Sequence, residues 1–349
     1  MNNCPKISVI IPCYNSQKHI NKCINSIIAQ SYTKFELIIV NDCSTDNTHK
    51  IIQKYTYKDN RIIVVNHTKN KGAHAARLSG INIARGIYIA FIDSDDYVDV
   101  DYLEKLYNAT EGEAIDMVCL SGHYQKFRLL QIKKQDLPSY NKHLINNLIK
   151  NPNNSELKKN FFGISQFPCY SAMKLYRKSV LNEIPNFDIF FNDDVLMIMY
   201  IFKKISSLKF INYYGYHYRT GGGSSLNSRY LSDFKKLFLL KKQDISNWKF
   251  ETNFDPYTYI LIELNNCFYE YFTQCILNGI KSNIIIDNIK CELSDELYNE
   301  FNYLNDYTDS LYTQEIQAIL SKNYCKIYSI AKSKITHKRK MRFYLSKWL

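Results

Sequence analysis

Residues 91 to 101 read FIDSDDYVDVD, five aspartates in eleven residues at the end of an apolar run, in a chain whose formal net charge is +12. In many proteins such an acidic cluster is a solvated turn. It can also hold calcium, but an EF-hand loop needs Asp or Asn at its fifth position and Gly at its sixth. Counting from Asp93, those places hold Tyr97 and Val98, which excludes that loop. The remaining chemistry is a divalent cation held by carboxylates against a phosphate-bearing ligand. Magnesium and manganese take oxygen ligands and leave positions for water and phosphate, so one or two carboxylates suffice. Asp93 and Asp95 meet that need.

A cation site of this kind has to be held by rigid elements. ISVIIP (7–12), FELIIV (35–40), RIIVV (61–65) and GIYIAFI (86–92) are short apolar runs typical of buried parallel strands. Between them lie helical patterns. Ile20, Cys23, Ile24, Ile27 and Ile28 share one face of HINKCINSII, and further helices run through Thr48 to Tyr55 and His74 to Ala84. The alternation predicts a parallel sheet with helices on both faces, and such sheets bind ligands outside the carboxyl ends of their strands. Those ends carry PCYN (12–15), NDCSTDNT (41–48) and DSDD (93–96). In the second, Ser44, Thr45 and Asp46 can also cap the helix that starts at Thr48, whereas Asp42 stands directly at the strand end.

VIIPCYN, IIVNDCSTDNT and NKGAHAARLSGINIARGIYIAFIDSDD, in that order over about residues 5 to 110, resemble the successive signatures of family 2 glycosyltransferases. FFNDDVLMIMY (190–200) is similar to that family's acidic motif at a helix start, with Asp193 where Glu is usual. YHYRTGGGSS (216–225) is similar to its aromatic, Arg- and Ser-containing closing loop. The resemblance implies a GT-A fold of the α/β class: a Rossmann-like, mixed but mainly parallel sheet flanked by helices. It implies an inverting hexosyl- or N-acetylhexosaminyltransferase using a UDP-sugar and a divalent cation, Mn2+ or Mg2+.

The resemblance also carries roles to positions. Asp95 becomes the direct metal contact, and Asp93 faces the ribose or reaches the metal through water, with Asp96 a competitor at either job. Nucleotide-sugar contacts fall on Pro12, Tyr14, Asn15, Asp42, Arg77, Asp93 and Ser94. A carboxylate such as Asp42 can accept the uracil imide N–H, Tyr14 can stack, and Arg77 can reach the base or the diphosphate. Asp194 aligns with the second acid of the family motif and is the expected general base, with Asp193 as the alternative and a helix cap as the structural one. His217 is a candidate metal ligand, and Arg219 a candidate phosphate contact through its guanidinium fork. Asp99 and Asp101 suit caps for the helix that follows.

The chain divides on this reading into a nucleotide-sugar-binding and catalytic region, 1–225, and a mainly helical region, 226–349. The last 24 residues contain eight Lys or Arg, no acid, and aromatics at Tyr328, Phe343, Tyr344 and Trp348. That composition suits an anionic membrane surface better than nucleic acid, for which no motif is present. It points to a lipid-linked acceptor such as a growing lipopolysaccharide, capsule or exopolysaccharide unit. The ten cysteines are scattered, no signal-peptide core precedes the first strand, and no apolar run reaches a membrane span, so the expectation is a cytoplasmic protein, peripheral at most. Two rival readings are a phosphatase of the haloacid dehalogenase type, which wants Thr or Val where Tyr97 stands, and a binding module that has lost transfer.

Overall fold

The four apolar runs form the centre of an eight-stranded sheet in the computed structural model, which describes residues 4–112, 114–127, 130–136, 145–152, 170–189, 193–219, 230–245, 255–293, 295–303 and 313–335. Strands β1 (Ile7–Cys13), β2 (Phe35–Asn41), β3 (Ile62–Asn66) and β4 (Tyr88–Phe91) pair in parallel in the order β3-β2-β1-β4. Beyond β4 the sheet becomes mixed. β10 (Lys174–Arg177) runs antiparallel between β4 and β6 (Met117–Leu120), followed by β11 (Ser207–Ile211), parallel to β6, and β9 (Leu148–Lys150) at the edge.

Every residue of β1 and β2 is buried, as expected where helices cover both faces. Their polar residues are therefore paired. Ser8 donates to Glu36 at 2.7 Å, the Arg85 side chain reaches the same carboxylate at 2.8 Å, and the Gly86 amide donates back to the Ser8 hydroxyl. The helices are α1 (Ile20–Ile28), α2 (Thr48–Thr56), α3 (Ala73–Ile83), α4 (Tyr102–Asn108) and α5 (Asp193–Phe202). On α1 the predicted face is buried at Ile20, Cys23, Ile24 and Ile27, with Ile28 half-buried.

A second, four-stranded sheet was not anticipated. It orders β5 (Tyr97–Val98), β12 (Tyr216–Arg219), β7 (Gly122–Phe127) and β8 (Leu130–Asp136). Tyr97 and Val98, at the end of the acidic run, pair with His217 and Tyr216. This pairing alters the roles of the two last aspartates. Asp101 occupies the N-cap position of α4 but makes no side-chain cap; its carboxylate accepts from the Tyr213 hydroxyl. Asp99 is hydrogen-bonded to His217 Nε2 at 2.7 Å. Side chains brought in by the β12 segment displace the local amides as partners.

These elements make one compact unit of the described residues up to 219, and those from 230 on make another. The second unit is helical: α6 (Tyr230–Ile245), α7 (Pro256–Leu277), α8 (Ser282–Glu292), α9 (Asp295–Asn302), α10 (Thr313–Leu320) and α11 (Tyr324–Ser333). Phe268, Phe272, Ile289 and Ile319 are buried there, and the Thr273 hydroxyl ties α7 to the Ala331 carbonyl of α11. Among the described residues no helix is long and apolar enough to cross a membrane. Residues 336–349 of the basic tail, and 220–225 of the closing loop, lie outside the described residues.

Candidate active site

The DSDD turn leaves the sheet directly after β4 and is held from two sides. Asp96 is buried; it accepts from the Tyr216 hydroxyl and from the Arg219 amide, both at 2.7 Å. It therefore anchors β12 to the turn, and its oxygens are committed to that task rather than to a metal. Arg219 Nε donates to the Asp95 carbonyl at 3.0 Å, and Ser94 Oγ meets Ser16 Oγ at 2.7 Å. Asp95 differs from its neighbours: its half-buried carboxylate has no donor from another described residue.

The second acidic pair arrives from the start of α5. Asp193 and Asp194 meet Arg77 Nη1 at 3.0 and 2.9 Å, while Nη2 of the same guanidinium lies 3.1 Å from Asp93. Arg77 is only 3% exposed. The contact to Asp193 is a directed hydrogen bond. That to Asp194 is an ion pair without one, so Asp194 Oδ1 keeps an unused acceptor. Arg77 is the residue the resemblance offers to the base or the diphosphate; in the structure its fork faces three carboxylates, one on the DSDD turn and two on α5.

Too many acids share this space for all to ionise easily. Burial, with the charge of Asp194 and Asp95 added and Arg77 opposing, pushes Asp93 up to about 6. Burial and the Asp194 charge push Asp193 up to about 7, against Arg77. Asp96 rises to about 8 through burial and the charges of Asp93 and Asp95, and burial raises Asp95 as well. For Arg77, burial works against the charge, but the three carboxylates win and hold the guanidinium above its ordinary value.

The base end is also more occupied than expected. Asp42, 2% exposed, accepts from the Lys71 amide (2.9 and 3.1 Å) and the Gly72 amide (2.8 Å), and bonds His67 Nδ1 at 2.6 Å. Three donors make four contacts with its oxygens, so an imide N–H arriving there would share an oxygen with one of them. Asn15, in the left-handed region at φ 49°, ties its own turn to Thr45 at 2.8 Å. Asp46 accepts from the Thr48 amide and so caps α2. Tyr14 is 47% exposed above the end of β1 and presents a free face; Pro12 is buried in that strand.

His217, considered as a metal ligand, stacks on Tyr97 (4.3 Å, 6°) and Tyr124 (5.2 Å, 19°) and bonds Asp99 rather than Asp93 or Asp95. Its alternation on β12 puts it on the opposite face from Tyr216, whose hydroxyl reaches the DSDD turn. Three residues of the site escaped the sequence reading. Tyr216 had only its place beside His217 to suggest it. His67 stands at the carboxyl end of β3, where the strand-end rule applies and was not used. His74 lies one turn before Arg77; its Nε2 bonds the Pro185 carbonyl at 2.8 Å and its ring stacks on Phe187 at 4.9 Å.

The donor set fits a hard divalent cation. Asp95 offers oxygens that no other described residue donates to, beside Asp93, where carboxylates outnumber the guanidinium that offsets them. Among the described residues no three His, Cys, Asp or Glu side chains form a ready cage, so substrate oxygens and water would complete the shell.

The Glycosyl transferase family 2 model matches residues 8–185. The chain belongs to that family. The chain is 39% identical over 122 residues to "Glycosyltransferase GlyA" of Streptococcus pneumoniae serotype 4, covering 35% of this chain but only 17% of GlyA. It is 32% identical over 256 residues to "Cholesterol galactosyltransferase" of Borreliella burgdorferi, covering 69% of each. The crystal structure of residues 1–349 of S. aureus TarS in complex with UDP is similar in fold, with a TM-score of 0.65, 21% identity, and coverage of 94% of this chain and 90% of that one.

Proposed function

We propose that this glycosyltransferase moves a hexose or N-acetylhexosamine from a UDP-sugar to a hydroxyl of a glycan or lipid-linked acceptor, by single displacement with inversion. One observation carries the reading. Two acidic motifs far apart in the chain, Asp93–Asp95 and Asp193–Asp194, converge on one guanidinium at the carboxyl end of β4. The fold likeness to a protein crystallised with UDP supports the choice of nucleotide.

Departure of a nucleoside diphosphate builds negative charge on the leaving oxygen. Asp95, with Asp93, would hold the Mn2+ or Mg2+ that offsets that charge where it develops. Asp194 takes the acceptor proton on the exposed part of its carboxylate, since Oδ1 is buried against Arg77. Its side chain is 25% exposed against 12% for Asp193, whose oxygen is already bonded, so Asp194 is the better placed of the two. Tyr14 offers a stacking face at the base end, and Arg219, fixed to the Asp95 carbonyl, stands where a phosphate contact is needed. The acidless basic tail favours an acceptor at an anionic lipid surface.

The test is UDP-sugar hydrolysis with added Mn2+, paired with calorimetry of UDP with and without the ion. Asp95→Ala should abolish turnover and the metal dependence of UDP binding. Asp194→Asn should keep UDP binding and lose transfer. Metal-independent UDP binding would remove the role of Asp95, and UDP binding without any turnover would leave a nucleotide-sugar-binding module.

A further inference from the structure

Among the described residues the guanidinium of Arg77 touches both acidic motifs. Nη1 sits between Asp193 and Asp194, Nη2 faces Asp93, and Nε is buried without a partner. A flat fork with contacts on two edges fixes distance and angle together, which a point charge does not. The same helix face holds the chain that leads into α5. One turn before Arg77, His74 bonds the Pro185 carbonyl and stacks on Phe187. At this same end α3 is fixed to the β2 strand end, since the Gly72 amide that opens the helix donates to Asp42.

We infer that Arg77 is a positioning residue of the transfer step: it sets Asp194 at its working distance from Asp93 and Asp95 and makes no contact with the nucleotide. The inference rests on the transferase reading. An arginine in this region can equally be taken for a diphosphate ligand, and the two roles give different kinetics. A diphosphate ligand is lost from binding, whereas a positioning residue is lost from the chemical step.

Arg77→Gln and Arg77→Lys are compared with the wild type and with Asp194→Asn, using Mn2+, UDP for calorimetry, and a panel of UDP-glucose, UDP-galactose and UDP-N-acetylglucosamine for turnover. Arg77→Gln should lower kcat by about 100-fold while KM and the UDP Kd move by less than about threefold. Arg77→Lys keeps the charge without the fork and should recover only part of the loss. The double variant Arg77→Gln/Asp194→Asn should be no slower than Asp194→Asn alone, because both changes remove the same function. A purely structural role would instead make the two losses additive and lower UDP binding with them.

The inference is overturned if UDP Kd weakens by the same factor as kcat/KM, or if kcat is unchanged. Should Arg77→Gln fail to fold, Arg77→Lys and the double-variant comparison made on its background give the same decision. A wild type that neither binds UDP nor turns over any member of the panel overturns the transferase reading itself, and the role of Arg77 with it. A wild type that turns over, with Arg77→Gln losing UDP, overturns the role of Arg77 alone.

Discussion

Three aspartates of the site carry acidities that burial and mutual charge have raised: Asp93 to about 6, Asp193 to about 7 and Asp96 to about 8. An unfolded Asp titrates near ~3.9, so each folded value lies above its unfolded one. Their contribution to stability is therefore fully present below about pH 4 and is lost as pH rises through 6 to 8. For the metal-free protein, melting temperature should decline over that window, and added Mn2+ should raise it more at pH 8 than at pH 5, as read by thermal shift. An equal Mn2+ effect at both pH values would mean that Asp93 does not meet the ion. At this scale the sequence displays the acids but not their partners. A guanidinium binds phosphate and carboxylate with the same fork, and an imidazole stacks or ligates with the same ring, so Arg77 and His217 could not be assigned before the fold placed their neighbours.

Among the elements, β1 to β4 and their helices are the legible part, since continuous apolar runs and a 3.6-residue pattern are local properties of the chain. The small sheet is not. β5 is two residues long, and its partners Tyr216 and His217 lie more than a hundred residues away, so nothing local marks the pairing. Yet that pairing anchors the acidic turn. Tyr216→Phe removes a donor from buried Asp96 and should lower unfolding free energy by about 1–3 kcal/mol in a urea titration. A different kind of constraint operates where β4 begins. A Cβ on Gly86 would lie 2.5 Å from the Ser8 amide nitrogen, so Gly86→Ala should push β1 and β4 apart and lower the unfolding free energy by about 1–3 kcal/mol, read as a lower urea midpoint at unchanged m-value.

At the scale of the molecule, the unit up to residue 219 contains both acidic motifs and the carboxyl ends of β1 to β4, while the basic stretch follows the helical unit from residue 230. A vesicle test should cut where the described fold ends. Removing residues 336–349 leaves α11 whole, with Ile327 and Ala331 buried, and should abolish co-sedimentation with anionic phosphatidylglycerol vesicles while sparing UDP-sugar hydrolysis. Unchanged co-sedimentation would remove the basis for a membrane-bound acceptor. The sequence shows this tail as composition only, because charge spacing records a surface and not its partner.

Helix α3 makes the two ends of the substrate mechanically dependent on each other. It has eleven residues, about 16 Å of rigid rod, with Asp42 fastened at its first turn and Arg77 farther along. A change made at Asp42 would loosen the first turn of the rod and, little more than a turn on, shift the guanidinium that Asp93, Asp193 and Asp194 meet. Donor selectivity in this fold is thus hard to retune without slowing transfer, and successful redesign would begin on the exposed face of Tyr14, which α3 does not hold.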